Sequence, residues 1–295
     1  MPDAPLISII MNCHNGDKYL KNSIQSILDQ TYTNWELVFY DNNSSDKSKI
    51  IFSEFKDNRL KYFHSGQTLK LYKARNLAIK KCKGRYIAFL DCDDLWKKEK
   101  LTIQVDNIKK NNSSVCYSNY YILENERKKI AYKDNLPEGS IEENLLDTFC
   151  VGILTVLIKK EIFEKNSLKF NDKYDIIGDF DLFLKVSKYY KFSSIQEPLA
   201  TYRLHNENLS IKKFSTYIEE LKNWFQENES QFKKNQLANF VNNLNYKEIK
   251  FYIFMSQYLK ALKKIFSPPL YFKKIKILIF FLLPKKYLRI QILGE

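Results

Sequence analysis

Residues 86–94 read YIAFLDCDD, and they decide how the rest of the chain is to be taken. Tyr86-Ile87-Ala88-Phe89-Leu90 is a short apolar run of the kind that makes a buried strand. It runs without a break into Asp91-Cys92-Asp93-Asp94. Three carboxylates packed together at the end of a strand repel one another unless a cation neutralises them. Carboxylate oxygens suit Mg²⁺ or Mn²⁺, ions that are shared with substrate phosphates. The plain alternative is a solvated turn in which Asp94 caps a helix starting at Leu95-Trp96.

Upstream, the pattern repeats. Residues 6–11 form an apolar, β-branched run, and 35–40 form a second, with a shorter strand at 60–64. Between them, residues 17–30 carry Tyr19, Leu20, Ile24, Ile27 and Leu28 at helical spacing. Residues 48–55 and 72–81 also read as helices, the last stopped by Lys83-Gly84. The order βαβαβαβ predicts a mostly parallel sheet flanked by helices, an α/β fold. Ligands of open α/β sheets bind outside the carboxyl ends of the strands. Three such ends carry polar clusters here: Asn12-Cys13-His14-Asn15, residues 41–46 (DNNSSD) and Asp91 to Asp94. They are expected to converge.

Downstream the pattern loosens. Residues 114–123 and 151–159 are strand-like, 179–188 form an amphipathic helix, and from 215 onward the chain is mostly helical, broken at Pro268-Pro269 and Pro284. Domain limits follow: 1–210 as the α/β domain, with 1–113 its nucleotide half and 114–210 its acceptor half, then 211–295 as a helical, basic extension.

Composition excludes several classes. Glycine numbers 7 in 295 residues, and neither a P-loop nor a G-x-G-x-x-G motif is present. The five cysteines, an odd number without a C-x-x-C pair, argue against a disulfide framework and a structural zinc, and fit a reducing cytoplasm. No secretory signal opens the chain, and its longest apolar run, 277–283, is too short to span a bilayer. Of the net charge of +14, +8 falls in residues 251–295, where Lys263-Lys264, Lys273-Lys274 and Lys285-Lys286 alternate with apolar and aromatic groups. Such a segment lies on an anionic membrane surface or packs as a helical cap. That points to a peripheral protein on the cytoplasmic face of the cell membrane. A nucleic-acid-binding protein would use the same basic charge, but the acidic loops would repel phosphate; no nucleic acid is expected. A nucleotidyltransferase, the other alternative, would hold its triphosphate with a glycine-rich or basic loop near the N-terminus, which MNCHNGDKYL does not supply.

The ordered set of motifs resembles the family 2 glycosyltransferases, inverting enzymes of GT-A fold. ISIIMNCHNGDKYLKNSIQSILDQTYTNWELVFYDNNSSD is similar to their opening strand, helix, strand and turn, KARNLAIKKCKGRYIAFLDCDD to their Ala-Arg-Asn helix and metal motif, GDFDLFLKVS to the helix that bears their catalytic base, and YRLHNENLS to their Tyr-Arg-x-His segment. The resemblance implies a nucleoside-diphosphate sugar as donor, uridine most often, and a glycan or lipid-linked glycan as acceptor, in bacterial surface-polysaccharide synthesis. It places Asn12, His14, Asn15, Asp41, Asn42, Arg75 and Asp91 on the nucleotide, and Asp93, Asp91 and His205 about a Mn²⁺ or Mg²⁺ ion. Asp179 becomes the general base and Asp181 its runner-up; without the resemblance, Asp179 reads as a helix cap, Asp181 as an acid favourable to the helix dipole and Arg75 as a surface helix residue. The chain departs from the family pattern at three positions: Asn42 replaces an acid, Gly178 replaces a glutamate, and Leu71-Tyr72-Lys73 stands where glycine is usual.

Overall fold

The computed structural model describes residues 4–165 and 168–266. The expected basic stretches at 271–276 and 285–289, and both proline breaks, lie outside the described residues. The first half follows the order read above: β1 (Ile7–Cys13), α1 (Asp17–Leu28), β2 (Trp35–Asp41), α2 (Ser48–Glu54), β3 (Leu60–His64), α3 (Leu71–Ile79) and β4 (Tyr86–Phe89). Every residue of β1, β2 and β4 is buried, as expected of strands covered on both faces. Leu20, Ile24 and Ile27 turn one stripe of α1 into that core. β1 pairs in parallel with β2 and β4, and β2 with β3.

The chain then adds β5 (Leu95–Trp96), α4 (Lys100–Asn111), β6 (Val115–Glu124), β7 (Arg127–Ile130), α5 (Glu142–Asp147), β8 (Leu157–Lys159), α6 (Glu161–Lys165), α7 (Gly178–Ser187) and β9 (Phe192–Arg203). The sheet runs β3-β2-β1-β4-β8-β6-β9-β5, with β7 beside β6. Its second half is mixed: β8 runs antiparallel to β4 and β6, whereas β6 and β9 are parallel. The helix that the plain alternative placed after Asp94 is absent. Leu95 and Trp96 pair instead with Thr201 and Ala200 of β9, so Asp94 caps no helix. Likewise 151–159 is a 3₁₀ turn at Ile153–Thr155 followed by β8.

Three asparagines fasten loops to this frame by one device. The side-chain amide of each donates to the carbonyl and accepts from the N–H of a single distant residue, as a neighbouring strand would: Asn42 with Leu69 (2.8 and 2.9 Å), Asn76 with Phe170 (2.8 and 3.1 Å) and Asn119 with Tyr132 (2.7 and 3.2 Å).

Contacts divide the chain into two units, residues 1–142 with 150–205, and 143–149 with 206–295. In the second, α8 (Leu209–Lys212), α9 (Phe214–Asn228), α10 (Lys234–Phe254) and α11 (Tyr258–Phe266) follow in order. Trp224 packs on Phe240 with ring centroids 5.4 Å apart. The buried Glu248 accepts from the Tyr252 hydroxyl at 2.7 Å and pairs with Lys222 and with Lys264 at 3.0 Å. No described helix is long and apolar enough to cross a membrane.

Candidate active site

The carboxyl ends of β1, β2 and β4 meet, as the pattern required, because the three strands are parallel neighbours in register: Cys13 lies opposite Asp41, and Ile10 opposite Phe89. Gly16 marks the closest approach of the first and third loops. A Cβ there would stand 2.5 Å from the Cys92 sulfur and 2.9 Å from that of Cys13. Only a residue without a side chain lets α1 begin there. All five cysteines are free thiols.

The first two loops are laced by short hydrogen bonds. Asn15, at φ 56°, donates its N–H to the Ser44 hydroxyl (3.0 Å) and accepts from the Ser45 N–H (2.8 Å). His14 Nδ1 lies 2.9 Å from the Asn42 carbonyl. Asp41, 1% exposed, accepts from the Ser44 N–H (2.8 Å) and the Tyr62 hydroxyl (2.6 Å). Burial, then Asp41, pushes the Tyr62 phenol far above its ordinary value, so it stays a donor. Asp46 accepts from the N–H groups of Asp17 and Ser48, both at 2.9 Å. Asn42 spends both ends of its amide on Leu69, so it fixes the loop ahead of α3. Asn12 differs: it is 8% exposed, and both polar atoms of its side chain are buried without a partner. An unpaired buried amide is costly and calls for a ligand or a water.

Arg75 is 3% exposed and therefore no surface residue. One of its guanidinium nitrogens reaches both oxygens of Asp91, at 2.8 and 3.0 Å. The first acid of the Asp91–Asp94 cluster is thus held by a buried cation. Burial, followed by the charges of Asp93 and Asp91, pushes the Asp94 carboxyl well above the usual range, although the Arg203 N–H donates to it at 2.9 Å. The three carboxyl groups therefore repel one another, with Arg75 on Asp91 and Arg203 beside Asp94 offsetting part of that repulsion. Asp93 Oδ2 lies 2.9 Å from His205 Nε2. Adjacent ligand atoms of an octahedral Mg²⁺ ion stand about 3 Å apart, so this oxygen–nitrogen pair fits one edge of such a site. Among the described residues no group of three acidic, histidine or cysteine side chains converges as a complete cage. Substrate phosphates and water usually complete such sites.

The antiparallel pairing of β9 with β5 delivers His205. It carries the end of β9 past the loop after β4, where Arg203 Nε donates to the Asp93 carbonyl at 2.9 Å and its guanidinium lies 4.5 Å from the centre of the Tyr19 ring. The same ring is 5.0 Å from that of His205. Trp96 lies behind this loop, buried, with its indole N–H on the Leu154 carbonyl at 2.8 Å.

Asp179 lies in the first turn of α7, not at its cap, which is Ile177. It accepts the Phe180 N–H at 2.9 Å and lies 3.3 Å from the Tyr72 hydroxyl. Burial pushes its carboxyl above the ordinary value, and Arg75 and the hydrogen bonds hold that rise in check. Asp181 is buried, and its carboxylate pairs at 2.7 Å with Lys185 one turn on. Of the residues now seen at the site, Tyr19, Tyr62 and Tyr72 carried no signal in the sequence beyond their place on helices and strands that face it.

A model of glycosyl transferase family 2 matches residues 8–185. The chain is 36% identical over 246 residues to UDP-Glc:alpha-D-GlcNAc-diphosphoundecaprenol beta-1,3-glucosyltransferase WfgD of Escherichia coli, covering 83% of this chain and 93% of that one. It is 28% identical to the putative teichuronic acid biosynthesis glycosyltransferase TuaG of Bacillus subtilis, covering 75% and 86%. In structure it is similar to residues 1–349 of S. aureus TarS in complex with UDP, with a TM-score of 0.68 and 18% identity over 97% of this chain and 88% of that one. The chain belongs to glycosyltransferase family 2 and has the GT-A fold.

Proposed function

We propose that this family 2 glycosyltransferase inverts the anomeric centre of a sugar carried on uridine diphosphate and transfers it to a hydroxyl of a lipid-linked glycan, with a divalent cation at the diphosphate. The observation that carries this reading is the arrangement on α3. Arg75 holds Asp91, the first acid of the metal motif, and Tyr72, three residues earlier on the same face, meets Asp179, the candidate base. Leaving-group chemistry and proton removal thereby share one wall.

Asp179 takes the proton of the acceptor hydroxyl as that oxygen bonds to the anomeric carbon. The bond from that carbon to the diphosphate oxygen breaks on the opposite face, and the nucleoside diphosphate departs. Because the base must be ionised, and burial holds its carboxyl above the ordinary value, activity rises as pH increases through that raised value. Asp93 and His205, with Asp91 beside them, would hold a Mn²⁺ or Mg²⁺ ion, whose charge stabilises the departing diphosphate. Asn12, with an unpaired amide, and Asp41, anchored by Tyr62, meet the nucleoside; Asn15, His14 and Asn42 shape the loops around it. The donor and acceptor classes named for the Escherichia coli relative, a UDP-glucose and a GlcNAc-diphosphate on undecaprenol, are the first candidates.

The basic C-terminal segment holds the enzyme peripherally at an anionic membrane on its cytoplasmic face, where a lipid-linked acceptor resides. Removing residues 268–295 should release the protein from sedimenting anionic vesicles; a truncated protein that still pellets would refute this anchor.

Nucleotide release from a panel of nucleotide sugars, with and without Mn²⁺ or Mg²⁺, tests the chemistry. Metal-dependent release from a UDP-sugar, lost in Asp93→Asn, is expected. Release that is equally fast after chelation would overturn the metal role, and release from no UDP-sugar would overturn the donor class.

A further inference from the structure

Gly178 opens α7 under a roof. A Cβ at that position would stand 2.6–2.7 Å from three ring carbons of Tyr72. No side chain fits there while the ring stays in place. The ring cannot readily leave, because it is 2% exposed and stacks on Phe170 at 5.4 Å, and Phe170 is itself tied at both backbone groups to Asn76 of α3. The Tyr72 hydroxyl donates to the Ile176 carbonyl at 2.5 Å, just ahead of α7, and stands 3.3 Å from Asp179 Oδ1. One aromatic side chain therefore touches the first turn of α7 at residues 176, 178 and 179.

We propose that Tyr72 is the positioning residue for Asp179: its ring, seated on Gly178, sets the start of α7, and its hydroxyl fixes the carboxylate. The inference rests on the reading of Asp179 as the base. A shared hydroxyl proton favours the ionised carboxylate, in the same direction as Arg75 from the same helix. The half-buried Tyr120 of β6 is a further titratable group that interacts with Asp179, and burial, its main influence, keeps it neutral, with a value of about 12. The ring and the glycine form a matched pair: enlarging one requires shrinking the other.

The test is the pH profile of kcat/KM for Tyr72→Phe, measured as transfer from UDP-glucose to a synthetic GlcNAc-diphospho-lipid, or from whichever UDP-sugar the release panel identifies. Loss of the hydroxyl should move the acidic limb upward by about half to one pH unit, with the KM for the UDP-sugar within about twofold of wild type. A folded Tyr72→Phe enzyme whose limb does not move overturns the proposal. Gly178→Ala should lower kcat at least about tenfold, and Tyr72→Ala in the same chain should recover part of the loss. A fully active Gly178→Ala enzyme likewise overturns it. Asp179→Asn separates the two readings. If that variant keeps the wild-type rate, the base assignment fails and this inference with it; if it is inactive while the Tyr72→Phe limb stays put, only the positioning role fails.

Discussion

The two sides of the site are built in opposite ways. On the proposed donor side, the loops after β1 and β2 bond to each other through Asn15 with Ser44 and Ser45 and Asp46 with Asp17, and are braced further by Asp41 with Ser44 and Tyr62 and by Asp46 with Ser48. On the proposed acceptor side, Asp179 meets the rest of the site through a long hydrogen bond from Tyr72, and its carboxyl is held above its ordinary value. Apart from the unpaired amide of Asn12, dense hydrogen bonding makes a preformed mould, which suits the proposed recognition of a nucleotide. A sparsely bonded, desolvated acid makes a reactive group, which suits proton transfer. Damage to the first side should appear as weaker binding or lower stability, and damage to the second as lost turnover.

The sharpest way to break that contrast is Asp179→Asn. We expect kcat to fall about 10³-fold with UDP affinity by calorimetry unchanged; equal losses in both would erase the distinction. Arg75→Met comes next, since it strips a buried partner from Asp91. A stability loss of about 3 kcal/mol in urea unfolding is expected, with weaker UDP binding. Asn42→Ala removes both bonds to Leu69 and should cost about 1–2 kcal/mol of stability and raise the KM for the donor, while kcat moves little. The smallest effect belongs to Asp181→Asn. Its partner Lys185 is 42% exposed, so the pair contributes under about 1 kcal/mol, and turnover should stay within about threefold of wild type. A large loss of kcat there would move the base from Asp179 to Asp181.

The donor side was also the legible one. Parallel strands alternating with helices force their carboxyl ends together, so Asn12, Asp41 and Asp91 could be grouped from pattern alone. The rest of the site depends on partners far apart in sequence. Nothing near Asp93 announces His205, which arrives through the pairing of Trp96 with Ala200. Leu95-Trp96 looked like a helix start because a two-residue strand leaves no periodicity to read. The amide of Asn42 could have faced a base or a backbone, and only the position of Leu69 decides between them. Tyr72 stood where glycine was expected, and Gly178 where glutamate was, but their relation is a contact across the fold.

β9 contains a joint. Its pairing with β6 keeps step up to Ser118 and Ile195, then skips, so that Asn119 faces Pro198 and Tyr120 faces Ala200, after which the two strands run in step again to Leu123 and Arg203. The slack is taken up beside Glu197, at the surface, where proline leaves no ladder N–H to disappoint. The segment that brings Arg203 and His205 to the loop after β4 lies wholly beyond this joint, in the part of the ladder that is back in step.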